Sequence, residues 1–225
     1  MRCYRAVLFD WRGTLVEIPA LERVVAQALA AVRRPAAPEA VDAIVARLRT
    51  AQSDPGYVEA ERRIDSSPEI HQPVTMRLFE RAGIDSELAD ELYRVEWELE
   101  NRPLYPDAVD VLSRARRLGV KIAVVSDVHF DIRADCAAQG IAPFIDAYVL
   151  SVEQGFQKPD ARMFQLALDA LAVEADEALM VGDWPPTDGG AVAVGITTLI
   201  LAPQAKLAPR GLNIVLRLLG RSDTS

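Results

Sequence analysis

Two cysteines, two histidines and three tryptophans among 225 residues exclude several kinds of protein at once. Cys3 and Cys136 are far apart and stand in no metal or redox spacing. The chain is therefore no disulfide scaffold and no cysteine-ligated zinc module, and both thiols are expected to be reduced. Basic residues are also short: 25 Lys and Arg face 33 Asp and Glu, for a net charge of −8. A nucleic-acid partner gains most of its affinity from phosphate neutralisation, so this balance argues against one. It does not exclude a small anionic metabolite held in a local basic pocket. Long apolar runs are missing too. The longest, Ala191 to Ala202, is twelve residues and contains Gly195, too short to span a bilayer. Asp10 stands where a signal peptide would need an apolar stretch. The expectation is a soluble cytoplasmic protein without a membrane partner, monomeric or homodimeric.

Half of the residues are apolar and 26% charged, ordinary for a globular chain. The length suits an α/β core domain with a smaller inserted one. No repeat or low-complexity tract is present. Arg5 to Phe9 reads as a buried strand that runs into Asp10 and turns at Gly13. From Pro19 to Asn101 only helical patterns occur: Leu21 to Arg33, Pro38 to Thr50, Pro68 to Ala82 and Ser86 to Glu100. Pro38 and Pro68 suit first turns, Ser67 and Asp85 suit N-caps, Gly83 suits a C-cap, and Pro73 would kink the third helix.

After Pro103 strands and helices alternate. Helices are expected at Asp107 to Leu118, Asp131 to Gln139 and Asp160 to Leu171. Strands are expected at Val120 to Val125, Ala147 to Ser151, Ala178 to Val181 and Thr197 to Leu201. Gly211 to Gly220 suits a last amphipathic helix, and Arg221 to Ser225 a frayed end. Such alternation implies a doubly wound parallel sheet, Rossmann-like, over residues 1–17 and 102–225. Residues 18–101 then form an inserted α-helical cap.

In an open parallel sheet, ligands bind beyond the carboxyl ends of the strands. Asp10, Ser126 and Asp183 stand at three such ends, and Lys158 lies in a loop before a helix. The set suits phosphoryl transfer. Asp10 can attack phosphorus, dividing hydrolysis into two easier steps. Lys158 and Ser126 can clamp the charge, aided by backbone N–H groups around Arg12 and Asp127. Asp10 and Asp183 are hard oxygen ligands suited to Mg²⁺. Asp188 is placed to bind the metal shell or to hold Lys158.

Asp10-Trp11-Arg12-Gly13-Thr14-Leu15 resembles the first motif of the haloacid dehalogenase superfamily. Ser126 after its strand resembles the second, Lys158-Pro159-Asp160 the third, and Gly182-Asp183 through Asp188-Gly189-Gly190-Ala191 the fourth. Order, approximate spacing and the helical insertion all agree, over nearly the whole chain. The resemblance implies a hydrolase with Asp10, Ser126 and Lys158 as catalytic residues. It implies substrate contacts from Arg12, Gly13, Thr14 and Asp127, and Mg²⁺ held by Asp10, the Arg12 backbone carbonyl, Asp183 and Asp188.

One position departs. Phosphatases of this family carry a second Asp two residues after the nucleophile, as acid and base, and here that residue is Arg12. A guanidinium cannot release a proton near neutral pH. The penalty is heaviest for alkyl phosphates, whose leaving alkoxide needs a proton, and lighter for acyl phosphates and pyrophosphates. The alternatives are a carbon-centred dehalogenase of the 2-haloacid type, whose members generally lack the carboxylate matching Asp183, and a binding protein without turnover.

Other residues have blander readings. Asp127 reads as a loop or capping residue, and His129 as a lone structural or exposed histidine, with a replacement acid–base role as the minority reading. His71 and Arg77 read as a solvated helix face. Trp11 and Trp184 are expected to line the site entrance and Trp97 to pack the cap. Arg12 can contact substrate, or pair with Glu17 or an acid of the cap.

Overall fold

The computed structural model describes residues 4–98, 100, 102–204 and 207–220. Cys3 and the tail Arg221 to Ser225 lie outside them. Five strands form one parallel sheet in the order β3-β2-β1-β4-β5. They are β1 (Ala6–Phe9), β2 (Lys121–Ser126), β3 (Ala147–Leu150), β4 (Ala178–Gly182) and β5 (Thr197–Ile200). β1 is central because it is apolar at every position and buried on both faces, as a middle strand of a covered parallel sheet must be. Its side chains alternate between two cores. Val7 and Phe9 join Ile122, Val124, Leu179 and Val181 on one face. Ala6 and Leu8 join Ala123, Val125, Ala178 and Met180 on the other.

Each face is covered by amphipathic helices. The first carries α6 (Ala108–Arg117), α7 (Arg133–Ala138) and α11 (Asn213–Leu218), contributing Val111, Leu112, Cys136 and Val215. The second carries α9 (Ala161–Leu171), through Met163, Phe164, Ala167 and Leu171. Gly119, at φ +75°, lets the chain leave α6 and enter β2.

Between β1 and α6 the structure is helical: α1 (Leu21–Ala31), α2 (Pro38–Gln52), α3 (Pro55–Glu61), α4 (Pro68–Arg81) and α5 (Ser86–Glu96). The apolar stripes of α1, α2, α4 and α5 bury Val25, Val45, Leu48, Phe79 and Leu92 in a cluster of their own. Asp85 caps α5 by accepting from the Leu88 N–H at 3.2 Å. Ser67 does occupy the N-cap position of α4, but its side chain makes no capping hydrogen bond. Pro73 lies inside α4. α3 goes unheralded in the sequence because it buries no residue and so shows no apolar period; Asp54 caps it instead, accepting from Gly56 N–H at 2.8 Å. The short helices α8 (Ser151–Gln154) and α10 (Pro185–Asp188) are single turns, too brief to carry a period. Among the described residues, no helix is long and apolar enough to cross a membrane.

Candidate active site

Register brings the site together. Phe9 pairs with Val124 on one side and Val181 on the other, so β1, β2 and β4 end side by side. The sheet order reverses about β1, which opens a crevice at those carboxyl ends. The Asp10 N–H donates to the Val181 carbonyl at 2.9 Å and so extends the ladder by one residue. The chain then turns sharply, with the N–H groups of Leu15 and Val16 both donating to the Trp11 carbonyl, at 2.8 and 3.0 Å. Gly13 is required here twice over. Its φ is +88°, and a side chain on it would press into the Asp183 carboxylate.

Lys158 is the electrostatic hub. Its Nζ donates to Asp10 Oδ1 at 2.7 Å and to Asp188 Oδ1 at 2.6 Å. Its own backbone N–H donates to Asp127 Oδ1 at 2.9 Å. The second oxygen of Asp188 accepts the N–H groups of Asp183 and Trp184, each at 3.0 Å, so Asp188 holds both the lysine and the turn after β4. Lys158 and Asp188 are almost wholly enclosed, at 2% and 1% exposure. Burial opposes the lysine's charge, but the carboxylates of Asp10, Asp188 and Asp127 outweigh it and raise its pKa. Burial also pushes Asp10 up to about 8; Lys158 offsets part of this, and repulsion from Asp188 and Asp183 adds to it. Asp183 is raised by burial and by Asp188. Asp127 rises to about 7, again through burial, against the attraction of Lys158.

Oxygen atoms of Asp10, Asp183 and Asp188 lie within 4.8 Å of one another. Three carboxylates against one ammonium leave the cluster short of positive charge, and hard oxygen donors are the set a Mg²⁺ ion takes. The donor set therefore fits such an ion. The hydroxyls of Ser126 and Thr14 are buried and have no hydrogen-bond partner among the described residues.

Arg12 turns away from this hub. Its guanidinium pairs with Glu96 of α5 at 2.7 Å and lies over the Trp97 ring at 4.6 Å. Of the two acids weighed from sequence, the cap supplies the partner. Glu17 instead pairs with Arg23, at 2.7 Å. Other expectations are corrected by packing. Trp11 is fully buried and packs edge-on against Phe130, so it lines core, not the site entrance. Trp184 is 59% exposed beside Asp183. Trp97 contacts His129 and Phe130 as well as His71, so it packs the junction of cap and sheet domain and not the cap alone. His71 is not on a solvated face: it is buried and stacked on His129. His129 is thereby neither lone nor exposed. Arg77 is exposed as expected.

Two positioning residues carry no motif. Asp107 accepts the N–H groups of Arg210, Gly211 and Leu212 at 2.7, 2.9 and 2.9 Å. Arg210, thus fixed, donates through Nε to the Gly13 carbonyl at 2.6 Å and through Nη1 to Ala202 O at 2.6 Å. Segments 197 residues apart in sequence thus meet behind the nucleophile loop. Nothing local in the sequence signals such a long-range bond; only the unusual pairing of a buried Asp with a buried Arg marks it.

An open parallel sheet with an aspartate, a hydroxyl, a lysine and two further carboxylates at its carboxyl edge defines a class of hydrolase. Residues 4–195 match the haloacid dehalogenase-like hydrolase model, and the chain belongs to that family. It is similar to a phosphoserine phosphatase of Thermus thermophilus, 38% identical over 121 residues, covering 53% of this chain and 49% of the relative. The chain spans about half the length of the curated relatives it matches. Solved structures share the fold. A HAD phosphatase from Thermococcus onnurineus has a TM-score of 0.61 at 22% identity, covering 96% of this chain and 98% of its own. A 2-haloacid dehalogenase from Pseudomonas syringae has a TM-score of 0.59 at 23% identity, covering 97% and 99%. Both chemistries occur on this fold, so the fold does not choose between them.

Proposed function

We propose that the protein is a Mg²⁺-dependent phosphohydrolase that acts on a small phosphorylated metabolite through a covalent Asp10 intermediate. The observation that carries this reading is the Lys158 ammonium shared between Asp10 and Asp188 with Asp183 alongside. Carbon-centred chemistry has no use for so many carboxylates, whereas a phosphate with a divalent cation does. Asp10, Asp183 and the Arg12 backbone carbonyl would hold the ion, with Asp188 behind them, since both Asp188 oxygens already accept hydrogen bonds. When bound, the ion neutralises charge on the phosphoryl oxygens and on the attacking carboxylate.

The chain's own groups do the rest. Asp10 attacks phosphorus, its bond to phosphorus forming as the bond to the leaving oxygen breaks. Lys158 and Ser126 clamp the non-bridging oxygens, aided by the backbone around Gly13, Thr14 and Asp127. Water then attacks the aspartyl phosphate, its oxygen bonding to phosphorus as the bond to the Asp10 oxygen breaks; orthophosphate leaves carrying the water's protons, and Asp10 returns as a carboxylate. With Arg12 paired to Glu96, no acid stands two residues after the nucleophile to protonate a leaving alkoxide. Acyl phosphates, pyrophosphates and comparable good leaving groups are the substrates this site favours. The division into a sheet domain, 1–17 and 102–225, and a cap, 18–101, belongs to the same proposal.

The test is a panel of alkyl phosphates, acyl phosphates, pyrophosphates and 2-haloacids, assayed with Mg²⁺ and with EDTA. Expected is phosphate release that needs Mg²⁺, favours acyl phosphates or pyrophosphates, and vanishes in Asp10→Asn. Halide release in EDTA would move the chain to carbon chemistry, and no turnover of any compound would leave it a binding protein.

A further inference from the structure

The chain's only two histidines meet at the junction of cap and sheet domain. His71 comes from α4 and His129 from the segment after β2, and their rings stack at 3.5 Å with 14° between the planes. Asp65, in the 3₁₀ turn Ile64–Ser66, faces both. Its Oδ1 lies 3.7 Å from His71 Nε2 and 3.5 Å from His129 Nδ1. One donor atom from each of the three residues lies within 4.8 Å of the other two. These contacts are too long for hydrogen bonds, and Asp65 Oδ1 and His129 Nδ1 are buried with no other partner among the described residues. Three donor atoms gathered this closely without bonding each other, two of them buried and unpartnered, mark a place for a fourth atom.

The surroundings suit a ligand set. His71 Nδ1 is 3.0 Å from the Tyr93 hydroxyl. In the tautomer that donates there, the Nε2 lone pair faces Asp65, the outer-shell arrangement of metal-bound histidines. Burial, with His129 and Arg12 nearby, holds His71 down to about 3, so it is neutral as a ligand must be. Asp65 is anchored to the sheet domain: its carbonyl accepts from Ser151 Oγ at 2.6 Å and its N–H donates to Gln157 Oε1 at 3.1 Å. Arg12, the cation that acts on His71, is already paired with Glu96.

We propose that Asp65, His71 and His129 form a second metal site, for a zinc-class divalent cation, which ties the cap to the sheet domain and is separate from the carboxylates around Asp10. In a tetrahedral site with bonds near 2.05 Å, neighbouring donors stand about 3.3 Å apart, a few tenths closer than the present 3.5 and 3.7 Å. The stacked rings must open so that both lone pairs point at one centre. His129 gives up no hydrogen bond at Nδ1 when the rings move. Two nitrogens and one oxygen favour Zn²⁺ over Mg²⁺, which takes oxygen donors, so the two sites are sorted by ligand chemistry. The fourth position falls to water.

The test uses the full untagged chain, ¹⁵N-labelled, in millimolar Mg²⁺. With two histidines in all, the imidazole spectrum has two spin systems, and both belong to this site. Adding Zn²⁺ should shift both together and saturate at one equivalent, and should raise Tm by roughly 5–10 °C at about a hundredfold excess over Kd. His71→Gln and His129→Gln should each abolish the response, and Asp183→Asn should leave it intact. The proposal fails if neither imidazole shifts, if only one does, or if Asp183→Asn removes the response. The wild-type spectrum decides even where a Gln variant does not fold.

Discussion

Arg12 shows how one side chain redirects a site. Its backbone is held in the nucleophile loop while its guanidinium reaches across to Glu96 and lies on Trp97. The pair is about a quarter exposed at each partner, so the ion pair itself contributes little, on the order of 1 kcal/mol or less. What Arg12 decides is chemistry, because it occupies the position from which a carboxylic acid would serve the leaving group. Arg12→Asp should therefore raise turnover of alkyl phosphates by about 10²–10⁴-fold, with little gain on acyl phosphates. Steady-state kinetics on matched substrates measure this; equal gains on both classes would mean that Arg12 obstructs binding and that no acid is missing.

Elements place these side chains, and the long-range clamps place the elements. The loop after β1 is held from behind by Arg210, and Arg210 by Asp107. Asp107 satisfies three backbone N–H groups at once, so its removal strands buried donors. Asp107→Ala should cost about 3 kcal/mol, read from the urea midpoint. Asp110→Ala, on the exposed face of the same helix, should cost less than about 1 kcal/mol. Equal losses at both sites would show that the clamp is not a unit. Neither residue announces itself in sequence. The amphipathic helices and the β-branched strands do, because their burial follows a period; single-turn helices and side-chain clamps have none.

At the scale of the whole molecule, the junction of cap and sheet domain gathers buried groups from distant segments, His71 and His129 among them. The folded His71 has a pKa of about 3 against 6.5 for the free side chain, through burial first and then His129 and Arg12. Between those values the unfolded chain binds a proton that folded His71 refuses, so stability falls as pH drops through this window. The slope is at most about 1.4 kcal/mol per pH unit. In EDTA, the stability difference between wild type and His71→Gln should shrink by roughly 3 kcal/mol from pH 7 to pH 4, as followed by urea unfolding. A difference that does not change with pH would show that His71 is protonated or solvated in the native state.

Four motifs in order, each at the end of an apolar run or before a helix, made Asp10, Lys158, Asp183 and Asp188 legible from sequence as neighbours, because strand ends in a parallel sheet must converge. The alternation of periods likewise determined an α/β sheet with a helical insertion. Where side chains point was decided only in three dimensions. Arg12 went to Glu96 and not Glu17, Trp11 went inward, and two histidines 58 positions apart came to stack. The reason is physical: a local pattern fixes which face of an element is buried, while a partner on another element is chosen by packing that no local pattern records.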